Sequence, residues 1–231
     1  MVHTPAMFGG ARPRRTPRRV VLGLFALGVL ASGCKKKDDE TAVQGNGVAK
    51  TEERLVPAGL ASLRVGGLLH ATYTVGAPHL ELRGDANLLP LILMDTSAGR
   101  LTLTQNQTLK PKMTLSATIA GPQLTEIVAD MASQLTVEGI RGERLKVRTA
   151  GAANLTVKGS VDELEVEALL ATKLDLTALS VRKARIVTDK AARVNLGYAE
   201  ELDVESKGAS TVTYTGDPKF TRTVGRRPVR R

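Results

Sequence analysis

From Arg54 onward, apolar and polar residues alternate in short runs. Ser62-Leu63-Arg64-Val65, Ala71-Thr72-Tyr73-Thr74-Val75, His79-Leu80-Glu81-Leu82-Arg83, Arg100-Leu101-Thr102-Leu103-Thr104 and Lys112-Met113-Thr114-Leu115 all follow this pattern. A period of two places the apolar side chains on one face of an extended chain, so each run predicts a half-buried strand. The stretch Asp85 to Ile92 predicts a short helical turn, limited by Pro90. No other run has the length and 3.6-residue period of a helix.

The second half of the chain repeats itself. Leu135, Leu155, Leu174, Val194 and Val212 anchor similar runs, separated by 20, 19, 20 and 18 residues. A second series interleaves with them: Leu145/Val147, Leu164/Val166, Ala184/Ile186 and Leu202/Val204. Each period of about 19 residues therefore holds two short strands with one apolar face each. Small residues join them, as in Ala150-Gly151-Ala152-Ala153 and Lys207-Gly208-Ala209-Ser210. One coil cannot bury its apolar face alone, but stacked coils bury a continuous Leu/Val column. The expected fold is all-β: a right-handed parallel β-helix-like solenoid with coils of about 19 residues over 121–220, preceded by a short-stranded β region over 54–120. An antiparallel sandwich would rarely keep both series in step over four intervals. In a solenoid, Val157 and Leu176 face the core and Thr156 and Asp175 face solvent.

Charge changes the picture only at the two ends. The formal net charge is +10, yet residues 1–33 carry five Arg and no acid, and residues 219–231 carry six bases and no acid. The remaining residues, 34–218, have a formal charge of −1. A nearly neutral body speaks against nucleic acid as the partner. Aromatic residues make up 3% of the chain, and there is no Trp, so a groove that stacks sugars or bases on rings is not expected. One Cys and three His exclude a disulfide framework and a Cys/His zinc site.

Residues 1–33 read as an export signal. Arg12 to Arg19 form a positive segment, and Val20 to Ala31 an apolar run of 12 residues, too short to span a bilayer. Leu30-Ala31-Ser32-Gly33-Cys34 resembles the lipobox of bacterial lipoproteins, with Ala31 where Leu is usual. That resemblance implies cleavage before Cys34 and lipidation of its thiol, hence attachment to a membrane through Cys34. Lys35 in place of Asp favours the outer membrane. Residues 34–53 are polar with no apolar period, and are expected to form a flexible tether. Residues 221–231 hold five Arg and two Val, and are expected to be a disordered basic tail that contacts anionic lipid or polysaccharide.

The span from about Leu55 to Phe220 resembles a bacterial domain family, the putative auto-transporter adhesin, head GIN domain. The resemblance rests on Gly84-Asp85-Ala86-Asn87-Leu88-Leu89-Pro90-Leu91-Ile92, on Ala98-Gly99-Arg100-Leu101-Thr102-Leu103, on the repeats, and on Thr211-Val212-Thr213-Tyr214-Thr215-Gly216-Asp217-Pro218. It implies a β-helix-like fold behind an export signal, and it carries over no functional residues. Members often have Gly-Ser-Gly corners, whereas only Gly151 and Gly208 remain at the corresponding corners of this chain.

Candidate chemistry is sparse. Asp162, Glu163, Glu165 and Glu167 fall in one coil, and Glu200, Glu201, Asp203 and Glu205 in another. Alternation turns Glu165 and Asp203 outward, about two coils apart, too far to share a metal. His3, His70 and His79 form no spaced motif. No nucleophile elbow or phosphate-binding loop is present. No catalytic, cofactor or metal residue is expected. The sequence thus predicts a non-catalytic, lipid-anchored envelope protein acting by adhesion or scaffolding. The alternative is a polysaccharide-active β-helix enzyme, which would need a cleft lined by acids, bases and aromatic rings from successive coils.

Overall fold

The computed structural model describes residues 42–231; Cys34, the apolar run before it and the first part of the tether lie outside the described residues. Among the described residues, eighteen strands fall in chain order. β1 is Val43–Gln44, β2 Ala49–Glu53, β3 Ser62–Val65, β4 His70–Val75, β5 His79–Asp85, β6 Ile92–Asp95, β7 Arg100–Gln105, β8 Leu109–Lys110 and β9 Ser116–Gly121. Then come β10 Glu126–Ala129, β11 Gln134–Thr149, β12 Asn154–Ala168, β13 Lys173–Leu176, β14 Leu179–Thr188, β15 Arg193–Ser206, β16 Thr211–Thr215, β17 Lys219–Gly225 and β18 Val229–Arg230.

These strands build an all-β solenoid whose coils have two limbs. The first limb stacks β2, β5, β9, β4, β11, β12, β13, β15, β16 and β18. The second stacks β6, β7, β3, β10, β11, β12, β14, β15 and β17. Pairing is parallel from coil to coil, and antiparallel only where β2, β5 and β6 join. β11, β12 and β15 run through both limbs, passing from one to the other near Gly139, Gly159 and Gly197. A Cβ on Gly159 would lie against the Ile140 carbonyl, so only glycine fits that passage. In the coil of β13, where no Gly is present, Asp175 holds the turn by accepting from the Thr177 N–H and hydroxyl.

The core lies between the limbs, and its columns match the two anchor series. Leu135, Leu155, Leu174 and Val194 are in register in the first limb, as are Leu145, Leu164, Ala184 and Leu202 in the second, and all are buried. Val157 and Leu176 are buried, and Thr156 and Asp175 are not, as alternation requires.

The joining corners repeat as well. Met131, Gly151, Leu170, Lys190 and Gly208 all have φ between 60 and 77°. The N–H that follows such a residue reaches the carbonyl of its counterpart one coil back: Ala152 to Met131, Ala171 to Gly151, Ala191 to Leu170. The corner therefore demands the left-handed conformation in every coil, and three coils adopt it without glycine. Such a residue costs about 1–2 kcal/mol. Lys190→Gly is therefore expected to stabilise the fold by up to about 1 kcal/mol, read as a raised melting temperature. Inside each corner, buried Ser and Thr replace Leu: Thr149 bonds Thr172 at 3.2 Å and Thr188 bonds Ser210 at 2.9 Å. Hydroxyls that satisfy one another need no water there.

Three expectations are corrected. Part of the predicted tether is ordered structure: β1 pairs with β8, and β2 pairs antiparallel with β5. Its polar residues have no apolar period because β2 is an edge strand that stays largely exposed. The tail is not disordered: β17 pairs with β15, and β18 with β16. Backbone hydrogen bonds, rather than apolar burial, offset the ordering entropy, and Arg222 finds Glu205 at 3.8 Å one coil back. Finally, Lys112–Leu115 is a bend rather than a strand. The N–H groups of Lys112, Met113 and Gly47 all donate to the buried Asp85 carboxylate, at 2.9, 3.0 and 2.6 Å. The predicted helical turn is present as a 3-10 turn at Leu89–Leu91.

Asp85 gives the fold an acid sensitivity. The Met113 N–H, with those of Gly47 and Lys112, holds its carboxyl below the ordinary value of 3.8 against the effect of burial. A lowered folded-state value contributes stability that is complete above the unfolded value and fades as pH falls toward the folded one. Asp85→Asn is expected to lower the melting temperature at pH 7 and to flatten its fall below about pH 4.

Candidate interaction surface

The outer face of the second limb carries ionisable side chains of both signs, and parallel register lines them up in columns. One column runs Arg144, Glu163, Lys183, Glu201, Lys219. The next runs Arg100, Ser62, Glu126, Lys146, Glu165, Arg185, Asp203, Arg222. From β10 onward the sign changes at every strand. A third column places Arg148 beside Glu167.

The pairs are close. Arg144 Nε lies 2.8 Å from Glu163, Lys146 Nζ 3.3 Å from Glu165, Arg148 Nε 3.3 Å from Glu167 and Lys183 Nζ 3.4 Å from Glu201. At the other end of the face, Arg100 meets Glu126 at 2.7 Å and Arg64 meets Asp130 at 2.6 Å. Burial pushes the Glu126 carboxyl up, but hydrogen bonds from Ser62 and Arg100 and the charges of Arg100 and Arg148 outweigh it, so the group stays below the ordinary 4.5. The Lys207 ammonium, hydrogen-bonded to Glu205, likewise holds that carboxyl low.

Two shallow depressions run along this face. One, of about 580 Å³, lies among Arg144, Lys146, Glu163, Glu165, Lys183 and Arg185. The other, of about 500 Å³, is bounded by Arg64, Arg100, Glu126, Asp130, Arg148 and Glu167. No aromatic residue lines either one. The two acid groups singled out from sequence are not brought together: Glu165 and Asp203 are two strands apart, with Arg185 between them. Among the described residues, no three His, Cys, Asp or Glu converge as metal ligands. His70 and His79 sit exposed at the starts of β4 and β5. Cys34 lies outside the described residues.

The face is thus an array of fixed opposite charges. Reasoning from sequence found the acids and missed Arg144, Lys146, Lys183 and Arg185. The signal was in the repeats: Arg144-Leu145-Lys146, Glu163-Leu164-Glu165, Lys183-Ala184-Arg185 and Glu201-Leu202-Asp203 align on their apolar residue and alternate in sign.

Residues 60–218 match the family model described as putative auto-transporter adhesin, head GIN domain. A comparison with curated proteins finds no match. Among solved structures, the chain is similar to a putative adhesin from Bacteroides fragilis NCTC 9343, with 14% identity, a TM-score of 0.66, and coverage of 82% of this chain and 98% of that one. A putative adhesin from Parabacteroides merdae ATCC 43184 gives 15% identity and a TM-score of 0.54, covering 80% of this chain and 95% of that one. A putative lipid binding protein from Parabacteroides distasonis ATCC 8503 gives 15% and 0.53, covering 80% and 96%. At these identities the likeness is one of fold. Among the described residues, no helix is long and apolar enough to cross a membrane.

Proposed function

The chain belongs to the putative auto-transporter adhesin, head GIN domain family, and on that premise we propose that it is a non-catalytic adhesion or scaffolding protein of the cell envelope, working through the outer face of its second limb. The observation that carries this reading is the alternating charge array. Glu163, Glu165 and Glu201 each have a base beside them on a neighbouring strand, so the face presents paired charges of both signs. A polyionic face binds by many weak contacts, which suits attachment to a repeating polymer or a broad protein surface. The family and the similar structures described as putative adhesins support adhesion in general.

We place the protein at the membrane through lipidated Cys34, in the outer membrane as Lys35 suggests. A diacylglycerol with an amide-linked acyl chain gives the multiple-chain attachment that stable anchoring needs. Cys34→Ala is expected to leave an uncleaved precursor that partitions differently in detergent from the wild type. Equal partitioning of both into the aqueous phase would overturn the anchor.

Adhesion is tested with cells that display the anchored chain. They are expected to bind a coated surface of envelope polysaccharide better than cells lacking it, with no release of new reducing ends. A rise in reducing ends would show the polysaccharide-active enzyme instead. Adhesion no better than that of cells lacking the chain would count against the proposal.

A further inference from the structure

β17 ends the second limb. It hydrogen-bonds to β15 on one side, and among the described residues no strand lies on its other side. Its inward ring, Phe220, is 42% exposed, whereas Leu202 beside it in register is fully buried. Phe220 packs edge-on to Tyr214 with ring centroids 5.4 Å apart. The last coil therefore presents both an unused backbone edge and uncovered apolar surface.

The charge columns say what fits that edge. β11 is basic at its outward positions, β12 acidic, β14 basic, β15 acidic, and β17 basic through Lys219 and Arg222. A register shift at Thr221 preserves this order: the extra residue sets Arg222, not Thr221, beside Asp203. The strand that continues the alternation is acidic. The chain's own sequence shows what sits beside a basic strand here: Glu163-Leu164-Glu165-Val166-Glu167 and Glu201-Leu202-Asp203-Val204-Glu205.

We propose that the free edge of β17 receives an acidic β-strand of a partner protein, added in parallel as the next coil. Its acids lie beside Lys219 and Arg222, and an apolar residue between them covers Phe220. Main-chain hydrogen bonds supply affinity in strand addition, and alternate side chains supply specificity. A second copy of this chain is a poor occupant. Its β12 and β15 already have both edges paired, and its own limb-two edge, β6, reads Ile92-Leu93-Met94-Asp95 with a single acid. Two β17 edges repel each other through like charge, so the basic edge bars self-pairing and admits its opposite. The site is at the end of the solenoid, separate from the lateral face assigned to adhesion, and it stands or falls independently of that reading.

The test uses the chain carrying residues 1–231 or its mature form, with a fluorescent peptide of the sequence Val161–Ala168 as probe. A second peptide has the same composition reordered so that its acids are contiguous. The alternating peptide is expected to bind and to slow amide hydrogen exchange at 219–225. The reordered peptide is expected to bind about tenfold more weakly or worse. Lys219→Gln with Arg222→Gln, both at exposed positions, is expected to weaken binding by a similar factor with its melting temperature nearly kept. Three results would overturn the proposal: no binding of the alternating peptide, equal binding of both peptides or of polygalacturonate, or binding without added protection at 219–225. The peptide comparison needs no variant, so it decides the matter even where the double substitution disturbs the last coil.

Discussion

Val157→Asp is expected to unfold the solenoid at temperatures where the parent is intact, whereas Thr156→Asp leaves it folded. The two residues are adjacent in β12 and point to opposite faces. Val157 is fully buried, with Val137 in register beside it on β11. A carboxylate there has no base and no donor within the core, so it either stays charged at high cost or takes up a proton. The expected loss is about 4 kcal/mol or more. Thr156 lies on the outer face beside Thr136 and Asp175, and a carboxylate there meets water and one like charge. Its cost is within about 1 kcal/mol. Thermal melts of the two variants check this, and equal midpoints would mean that the strand faces are assigned the wrong way round.

Reversing the acids of β12 is the second large effect expected. Glu163→Lys, Glu165→Lys and Glu167→Lys together set a like charge between Arg144 and Lys183 in one column and between Lys146 and Arg185 in the next. Three close pairs of opposite sign, at 2.8–3.3 Å in the parent, become repulsive, and the register neighbours Lys183 and Arg185 now face bases as well. Each cross-strand pair is worth about 0.2–1 kcal/mol, and these are partly exposed, so the sum is roughly 3 kcal/mol in low salt. Most of that loss should return at 1 M salt, where the screening length is about 3 Å. Melts at low and high salt read the effect. A variant as stable as the parent in low salt would show that backbone pairing and core packing alone fix the coil register. The same variant in the cell-adhesion assay separates the two roles of the array, since at physiological salt it still presents a charged face but no longer an alternating one.

Much of the fold was legible because a solenoid coil is a local object. The spacing of Leu135, Leu155, Leu174, Val194 and Val212 fixes one column, and the interleaved series fixes the other. Alternation then says which residues face inward, as at Val157 and Thr156. The corner residues were visible as small-residue stretches. That Met131, Leu170 and Lys190 adopt positive φ followed only from their place in the stack, since none is a residue type that announces a left-handed turn. The charged face was half legible: the acids stood out as clusters, and the bases in the neighbouring coils, about 19 residues away, were missed.

What the sequence by itself determined is the all-β class, the coil length and the two apolar columns, because each depends only on period and side-chain chemistry along one coil. What the tertiary structure decided is everything that depends on which strand lies beside which. β3 and β4 are intercalated between strands that come later in the chain, so Ser62 joins Arg100 to Glu126 across segments that no repeat connects. Polar segments at both ends become strands because an edge of the stack offers them backbone partners, and hydrogen bonding to an edge leaves no mark in hydrophobic pattern. The charge columns exist only once register is set, including the shift at Thr221 that brings Arg222 beside Asp203. Opposite charges attract across the spacing of neighbouring strands in space, and period along the chain gives that spacing only where the coils are uniform.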